Sequence, residues 1–380
     1  MSQTHHITQA RIVTRDQEFT GNLNVCDGRI ASVYSGDASC KTAEDWQGDY
    51  LLPGFVELHT DNLEKHLMPR PKVSWPEFPA LLAHDAEIAA AGITTVYDAL
   101  GVGDVDEAAL RGKDMSGLLN AIDRAENAGL LRAEHRLHVR CELAVSNTLR
   151  LFEPFVDCKR VGLISLMDHT PGQRQWTQIE QARVYYTGKK GWSNDKFDAV
   201  VLEAKALQAR YAEPHRRHFL QHARDKRIPL ASHDDTTIEH IKEALREGIA
   251  VSEFPTTLDA ARAAHDNGLG VVMGAPNVVR GGSHAGNIAA SALAKEGLLD
   301  ILSSDYVPSS LLSGAFMLAT QCDYPLPRAV NTISLNPARF LRLDDRGEIA
   351  EGKRADYSRV RLTDGAPSVI AVWRGGERVV

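Results

Sequence analysis

The sequence predicts an α/β chain, a (β/α)8 TIM-like barrel with a composite small β-sandwich domain formed by both termini. Eight apolar runs of strand length recur through the middle of the chain, and helical stretches precede several of them. The two ends differ in character, reading as short strands broken by tight turns. Strands alternating with helices imply right-handed βαβ units and a parallel sheet, and eight such units imply a barrel. A barrel of this kind takes about 250 residues, which a chain of 380 residues holds with both ends to spare.

The N-terminal end reads ITQARIV and then NLNV-CDG-RIASVY, with Asp27-Gly28 as a hairpin turn. The C-terminal end reads GEIAEGKRADYS, RVRL-TDG and SVIAVWRGGERVV, with Asp364-Gly365 in the same role. Asp-Gly between strand-like runs favours the turn that matches strand twist. Each end is too short to bury a core alone. Residues 1–50 and 347–380 are therefore expected to pair as one β-domain, leaving 51–346 as the barrel.

The eight strand runs are 51–58 (LLPGFVEL), 93–100 (ITTVYDAL), 136–143 (RLHVRCEL), 161–168 (VGLISLMD), 228–232 (IPLAS), 249–254 (IAVSEF), 269–274 (LGVVMG) and 298–304 (GLLDILS). Before the second run, AHDAEIAAAG at 83–92 reads as a helix that Gly92 caps. The longest interruption, 176–227, is polar and helix-prone. Such an insertion is most simply an outer-face excursion, with a lid or an oligomer contact as alternatives.

A hydrophobic content of 43% supports a large core, and a net charge of −7 argues against nucleic acid or a membrane surface as partner. The five cysteines are scattered and form no CxxC pair, so they read as reduced thiols in a cytoplasmic protein. The N-terminus has no apolar signal-peptide core, and no run reaches 18 apolar residues. The expected partner is a small molecule; a homo-oligomer is compatible with the sequence.

Chemistry in such barrels sits at the C-terminal ends of the strands. The first run ends in His59 and Asp61, two residues apart, a spacing that puts side chains on one side of a strand. The third ends in Glu142, the fourth in Asp168 and His169, and the fifth in His233, Asp234 and Asp235. The sixth carries Glu253 and the eighth Asp305. A single His or Asp at a strand end is most often a cap or a solvated residue. Ligand types at most of the ends together point to a divalent metal site, and His with carboxylate suits Zn, Mn or Fe.

LLPGFVELHTD resembles the first strand of the amidohydrolase superfamily, whose usual pattern is PGFID-x-H-x-H. NPARFLRL followed by GEIAEGKRADY resembles that superfamily's exit from the barrel. The resemblance implies a metal-dependent hydrolase with two divalent ions, zinc before manganese or iron. It also implies His59, Asp61, Glu142, His169, His233 and Asp305 as ligands, with Asp305 and His233 also catalytic. Many members bridge two ions with a carboxylated Lys. RLHVRCEL and VGLISLMDH contain none, so Glu142 is the available bridge. Asp61 stands where the pattern has a second His, Glu253 stands near another usual His position, and His169 is the candidate replacement.

Basic residues follow several strands. MPRPKVSWP carries Arg70 and Lys72, MDHTPGQRQ carries Arg174, and GAPNVVRGGSHAGN carries Arg280, Gly281, Gly282, Ser283 and His284. Phosphate sites recur after strands seven and eight of such barrels. Gly281-Gly282 is expected to open its backbone N–H groups to an anion, ahead of a helix-prone AGNIAASALAKEG. Glycine pairs alone are usually only turns; the location makes the case.

HTDNLEKH, PRPKVSWP, SLMDHTPGQRQ, EFPTT, MGAPNVVRGGSHAGN and LDILSSDYVPSSLL together resemble one branch of the superfamily that serves bacterial phosphonate catabolism through the carbon–phosphorus lyase pathway. That resemblance implies hydrolysis of a phosphorylated sugar phosphonate at its 5-triphosphate, releasing diphosphate. A cyclic amidase or deaminase predicts an apolar or base-reading pocket instead of basic loops. A metal-free structural homologue fits the loss of two family His positions but not the retention of His59, Glu142, His233 and Asp305.

Overall fold

The computed structural model describes the chain except residues 1–3, 37–39, 41, 106–108, 175–178 and 283–286. Its strands are β1 (Thr4–Val13), β2 (Glu18–Cys26), β3 (Arg29–Tyr34), β4 (Glu44–Asp45), β5 (Tyr50–Pro53), β6 (Phe55–Thr60), β7 (Ile93–Val102) and β8 (Glu134–Glu142). They continue as β9 (Val161–Met167), β10 (Leu230–His233), β11 (Val251–Glu253), β12 (Gly270–Gly274), β13 (Ile301–Ser303), β14 (Tyr357–Thr363), β15 (Ala366–Arg374) and β16 (Glu377–Arg378).

One eight-stranded sheet gathers both ends of the chain in the order β16-β15-β14-β5-β1-β2-β3, with β4 on β1. Asp27 and Gly28 have φ of 49° and 76°, and Asp364 and Gly365 have 53° and 82°. Two successive left-handed residues make the hairpin turn that Asp-Gly predicts. β14 runs antiparallel to β5, with Tyr357 opposite Pro53, and β5 runs parallel to β1. Ile7, Ile12, Leu23 and Trp46 from the N-terminal side share one buried cluster with Tyr357, Ala371 and Trp373. The rings of Tyr357 and Trp373 stack at 4.9 Å.

The second sheet has eight strands in chain order from β6 to β13, the TIM-like barrel arrangement. Its registered neighbours, such as β6 with β7 and β9 with β10, are parallel. A parallel bridge between Thr60 and Asp305 joins the end of the first barrel strand to a residue two places beyond the last.

The run read as a first strand over 51–58 is in fact two strands. Tyr50–Pro53 belongs to the terminal sheet and Phe55–Thr60 to the barrel. The change falls at Gly54, where a Cβ would lie 2.4 Å from Thr94 Oγ1 and 2.9 Å from Asp356 Cβ. Hydropathy sees one apolar run because both strands are buried throughout.

The insertion after β9 forms helices Ile179–Lys190 and Asn194–Lys226. The second is capped by the Ser193 side chain, which accepts from the Lys196 N–H, and stops at Arg227 in the left-handed conformation. It buries Phe197, Phe219 and Ala223. The chain divides into two compact units, one of Met1–Asp98, Asn120–Arg136 and Met273–Val380, the other of Ala99–Leu119 and Leu137–Val272. Among the described residues no helix is long and apolar enough to cross a membrane, and the five cysteines form no disulfide.

Candidate metal centre

In the unit that holds both termini, β6 presents Glu57 and His59 on one side by strand alternation. Both are buried. The Glu57 carboxylate accepts the His59 N–H at 2.7 Å and the Ser304 N–H at 2.6 Å. Burial drives its pKa up to about 7 despite these bonds. Asp305 is fixed by backbone: its N–H donates to His59 O at 3.2 Å, and its own carbonyl accepts from Asp61 N–H at 3.1 Å. Thr60 Oγ1 donates to the same carbonyl at 2.8 Å. Asp305 takes a φ of 53°, a conformation that aspartate tolerates better than most residues. His59, Asp61 and Asp305 are thus brought together on neighbouring backbone.

The other unit assembles the remaining candidates at the ends of β8 to β11. Glu142 closes β8 and His169 follows β9. His169 donates its backbone N–H to Glu142 Oε1 at 3.1 Å, and its Nδ1 lies 2.5 Å from Oε2. Burial alone would raise the Glu142 carboxyl, but the His169 charge and these bonds hold it below its ordinary value. Burial opposes charge on His169 too, and Glu142 outweighs it, so that imidazole is raised. The facing nitrogens and carboxylate oxygen of His169, His233 and Asp234 lie within 4.8 Å of one another.

Glu253, at the end of β11, supports this group from below. It is fully buried. Its Oε2 accepts from Ser165 Oγ at 2.8 Å and faces His233 Nδ1 at 3.4 Å. His138 Nε2 in turn contacts Ser165 Oγ. With Nδ1 held by a carboxylate, His233 turns Nε2 towards Asp234, 3.7 Å from its Oδ2. A carboxylate behind an imidazole is the usual way to fix a metal-binding tautomer.

Two strand-end carboxylates serve the scaffold. Asp168 caps the turn by accepting the Thr170 N–H at 3.0 Å and holds Gln208 at 3.1 Å. Asp235 turns away from Asp234 to accept from Ser232 and Ser252 and to pair with Arg174. A third His and Asp cluster, His84, Asp98 and His135, is a hydrogen-bonded core. Each Asp98 oxygen is taken by one imidazole at 2.7 Å, and His135 Nε2 reaches Asp85 at 3.3 Å.

The basic residues distribute differently from the expectation. Arg174 is buried, with its guanidinium turned onto Asp235 and onto Glu243 at 2.8 Å, so two carboxylates already neutralise it. The expected opening of Gly281 and Gly282 to an anion is overturned. Gly281 N–H donates to Val278 O at 3.1 Å and Gly282 N–H to Asn277 O at 2.9 Å, closing the helix Ala275–Arg280. Gly281 supplies the left-handed cap, with φ of 80°. Arg70, Lys72 and Arg280 are exposed cations. Ser283 and His284 lie outside the described residues.

Glu57, His138 and Ser165 escaped the sequence reading, which looked only at strand ends. The signal was present: Glu57 is two residues before His59, and His138 is four before Glu142, each on the same strand face.

Comparison with known proteins bears on the family and the fold. A profile of the amidohydrolase family matches residues 197–380. The α-D-ribose 1-methylphosphonate 5-triphosphate diphosphatase of Escherichia coli (strain K12) is 46% identical over 375 residues, 98% of this chain and 99% of that protein. Among solved structures, N-acetyl-D-glucosamine-6-phosphate deacetylase from Mycobacterium smegmatis has a TM-score of 0.63 at 16% identity, covering 99% of this chain and 100% of that one. The 5-methylcytosine deaminase from Klebsiella pneumoniae has a TM-score of 0.64 at 15% identity, covering 99% and 97%. At that identity these structures speak for the fold alone. The full-length relative and the matching profile together show that the chain belongs to the amidohydrolase family.

Proposed function

We propose that this protein is a metal-dependent hydrolase that cleaves α-D-ribose 1-methylphosphonate 5-triphosphate to the 5-phosphate and diphosphate in phosphonate catabolism. The single observation that carries the reading is the 46% identity to the Escherichia coli diphosphatase along essentially the whole of both chains. In the reaction, a water oxygen bonds to phosphorus as the anhydride P–O bond breaks, and diphosphate departs with that bond's electron pair.

The donor set fits a divalent metal. His169, His233 and Asp234 offer two imidazoles and a carboxylate at mutual distances that one ion spans. The proposed ligands are His59, Asp61 and Asp305 in one unit and Glu142, His169 and His233 in the other, with Asp234 added to the second set. Two ions, zinc first, agree with this number of ligands. When bound, the metal supplies Lewis acidity towards phosphoryl oxygens and a nucleophile near neutral pH. Asp305 accepts the proton of the attacking water, since its carboxylate stands on backbone fixed by His59 and Asp61. His233 is held in one tautomer by Glu253. Arg70, Lys72 and Arg280, exposed on a protein of net charge −7, provide local attraction for a polyanion.

The test is incubation of metal-replete protein with a panel of ribosyl and nucleoside triphosphates, followed by phosphorus NMR. Diphosphate and the sugar 5-phosphate should appear from the ribosyl phosphonate. No diphosphate from that substrate, with turnover of a cyclic amide or an aminopyrimidine instead, would replace this reading.

A further inference from the structure

The inward face of β8 holds an arginine with one buried donor, its Nε, that no described residue accepts. Register pairs His138 with Leu163, Arg140 with Ser165 and Glu142 with Met167 along β8 and β9. His138 meets the Ser165 hydroxyl, which donates onward to Glu253, so this face is the one that leads to Glu142 and His233. By alternation Arg140 lies on it, between His138 and Glu142. Arg140 is only 6% exposed, and its Nε has no hydrogen-bond partner among the described residues.

A guanidinium cannot escape burial by losing its proton, and a buried donor left without an acceptor carries a desolvation penalty. The neighbouring carboxylate is not available to it in full, because His169 grips both Glu142 oxygens. A fold that keeps an arginine at such a place has an anion in prospect.

A second arginine approaches the same pair. Arg111 lies across Gly101, where a Cβ would stand 2.6 Å from both its Cγ and its Cδ. Only glycine at position 101 leaves room for that course. The Arg111 backbone is fixed as well, its carbonyl accepting the Gly103 N–H at 3.0 Å. A Cβ on Gly103 would stand 3.2 Å from Glu142 Cβ, so the backbone that holds Arg111 runs beside Glu142.

We propose that Arg140 and Arg111 bind the phosphoryl oxygens of the polyphosphate substrate beside the Glu142–His169 pair. This rests on the triphosphate reading given above. Two guanidinium forks on a phosphoryl group match its geometry and offset the charge that moves onto the departing diphosphate. The anion site then lies on β8 and its surroundings, and not on the glycine pair after β12.

Inorganic pyrophosphate is the probe, titrated calorimetrically into metal-replete protein. Arg140→Gln should bind it about 10- to 100-fold more weakly with metal content unchanged. Arg140→Lys keeps the charge without the fork and should lose several-fold. Gly101→Ala should weaken binding through displaced Arg111. If Arg140→Gln does not fold, Arg140→Lys decides the matter, and wild-type affinity there overturns the assignment. Wild-type affinity in Arg140→Gln also overturns it, as does loss of metal together with pyrophosphate, which would make Arg140 a support of the metal ligands. If the arginine variants lose pyrophosphate but wild-type protein leaves every triphosphate intact, the functional reading fails and the anion site stands.

Discussion

His169 holds Glu142 twice, through its backbone N–H at 3.1 Å and its Nδ1 at 2.5 Å. One residue thereby orients both oxygens of the carboxylate at the end of β8. Glu142→Gln removes the charge and misplaces one of these donors, since an amide nitrogen cannot accept. Turnover should fall by at least about 100-fold, with bound metal reduced and the melting temperature little changed. Metal analysis and rate measurements on the same preparation check this, and near-normal turnover at full metal content would refute a ligand role.

Glu253→Gln should act one step further back. The carboxylate holds His233 at 3.4 Å and receives the Ser165 hydroxyl. Losing it should lower metal affinity by about 10- to 100-fold, measured by competition with a chelating dye. Unchanged affinity would mean that His233 needs no help in choosing its tautomer.

The buried pair of His135 and Asp98 gives a pH signature remote from the proposed ligands. Burial lowers the His135 pKa, but Asp98 and Asp85 more than compensate and raise it from 6.5 to about 9. A raised histidine contributes stability that is complete below pH 6.5 and is lost as pH rises through about 9. His135→Gln should cost about 3–5 kcal/mol near pH 6, as for a broken buried ion pair. Urea unfolding should show the gap to wild type shrinking across that window. A gap that stays constant from pH 6 to pH 9.5 would mean that His135 is neutral in the fold.

Deleting residues 350–380 removes β14, β15 and β16 and strips β5 of its antiparallel neighbour. It also removes Tyr357 and Trp373 from the cluster that covers Trp46. Proteolysis of residues 7–45 should therefore accelerate sharply. Unchanged protection there would show that the N-terminal strands stand without their C-terminal partners.

Much of this was legible in the chain. Asp27-Gly28 and Asp364-Gly365 announced their hairpins because few other pairs accept two left-handed residues. The barrel strands announced themselves as buried runs, and most strand ends carried ligand-type residues. Other features were hidden for physical reasons. Gly54 marks a change of sheet inside one continuous apolar run, and hydropathy has no term for which sheet a strand joins. Gly281 and Gly282 looked open to an anion because sequence does not show that a helix will claim their N–H groups. Arg174 looked like a rim cation because the carboxylates that take it, Asp235 and Glu243, are far along the chain. Arg140 was overlooked because it sits within a strand, not at its end.

The bridge between Thr60 and Asp305 spans 245 residues of sequence. Closing so long a loop is entropically slow, and such contacts form late. During synthesis the N-terminal segment carrying His59 and Asp61 must wait until residue 305 of 380 has been made before Asp305 arrives to fix it. Until then those two side chains sit on an open strand edge. On the proposed ligand set, capture of an ion by this trio is thus tied to synthesis past residue 305, and a nascent chain arrested before it should lack that half of the proposed ligands.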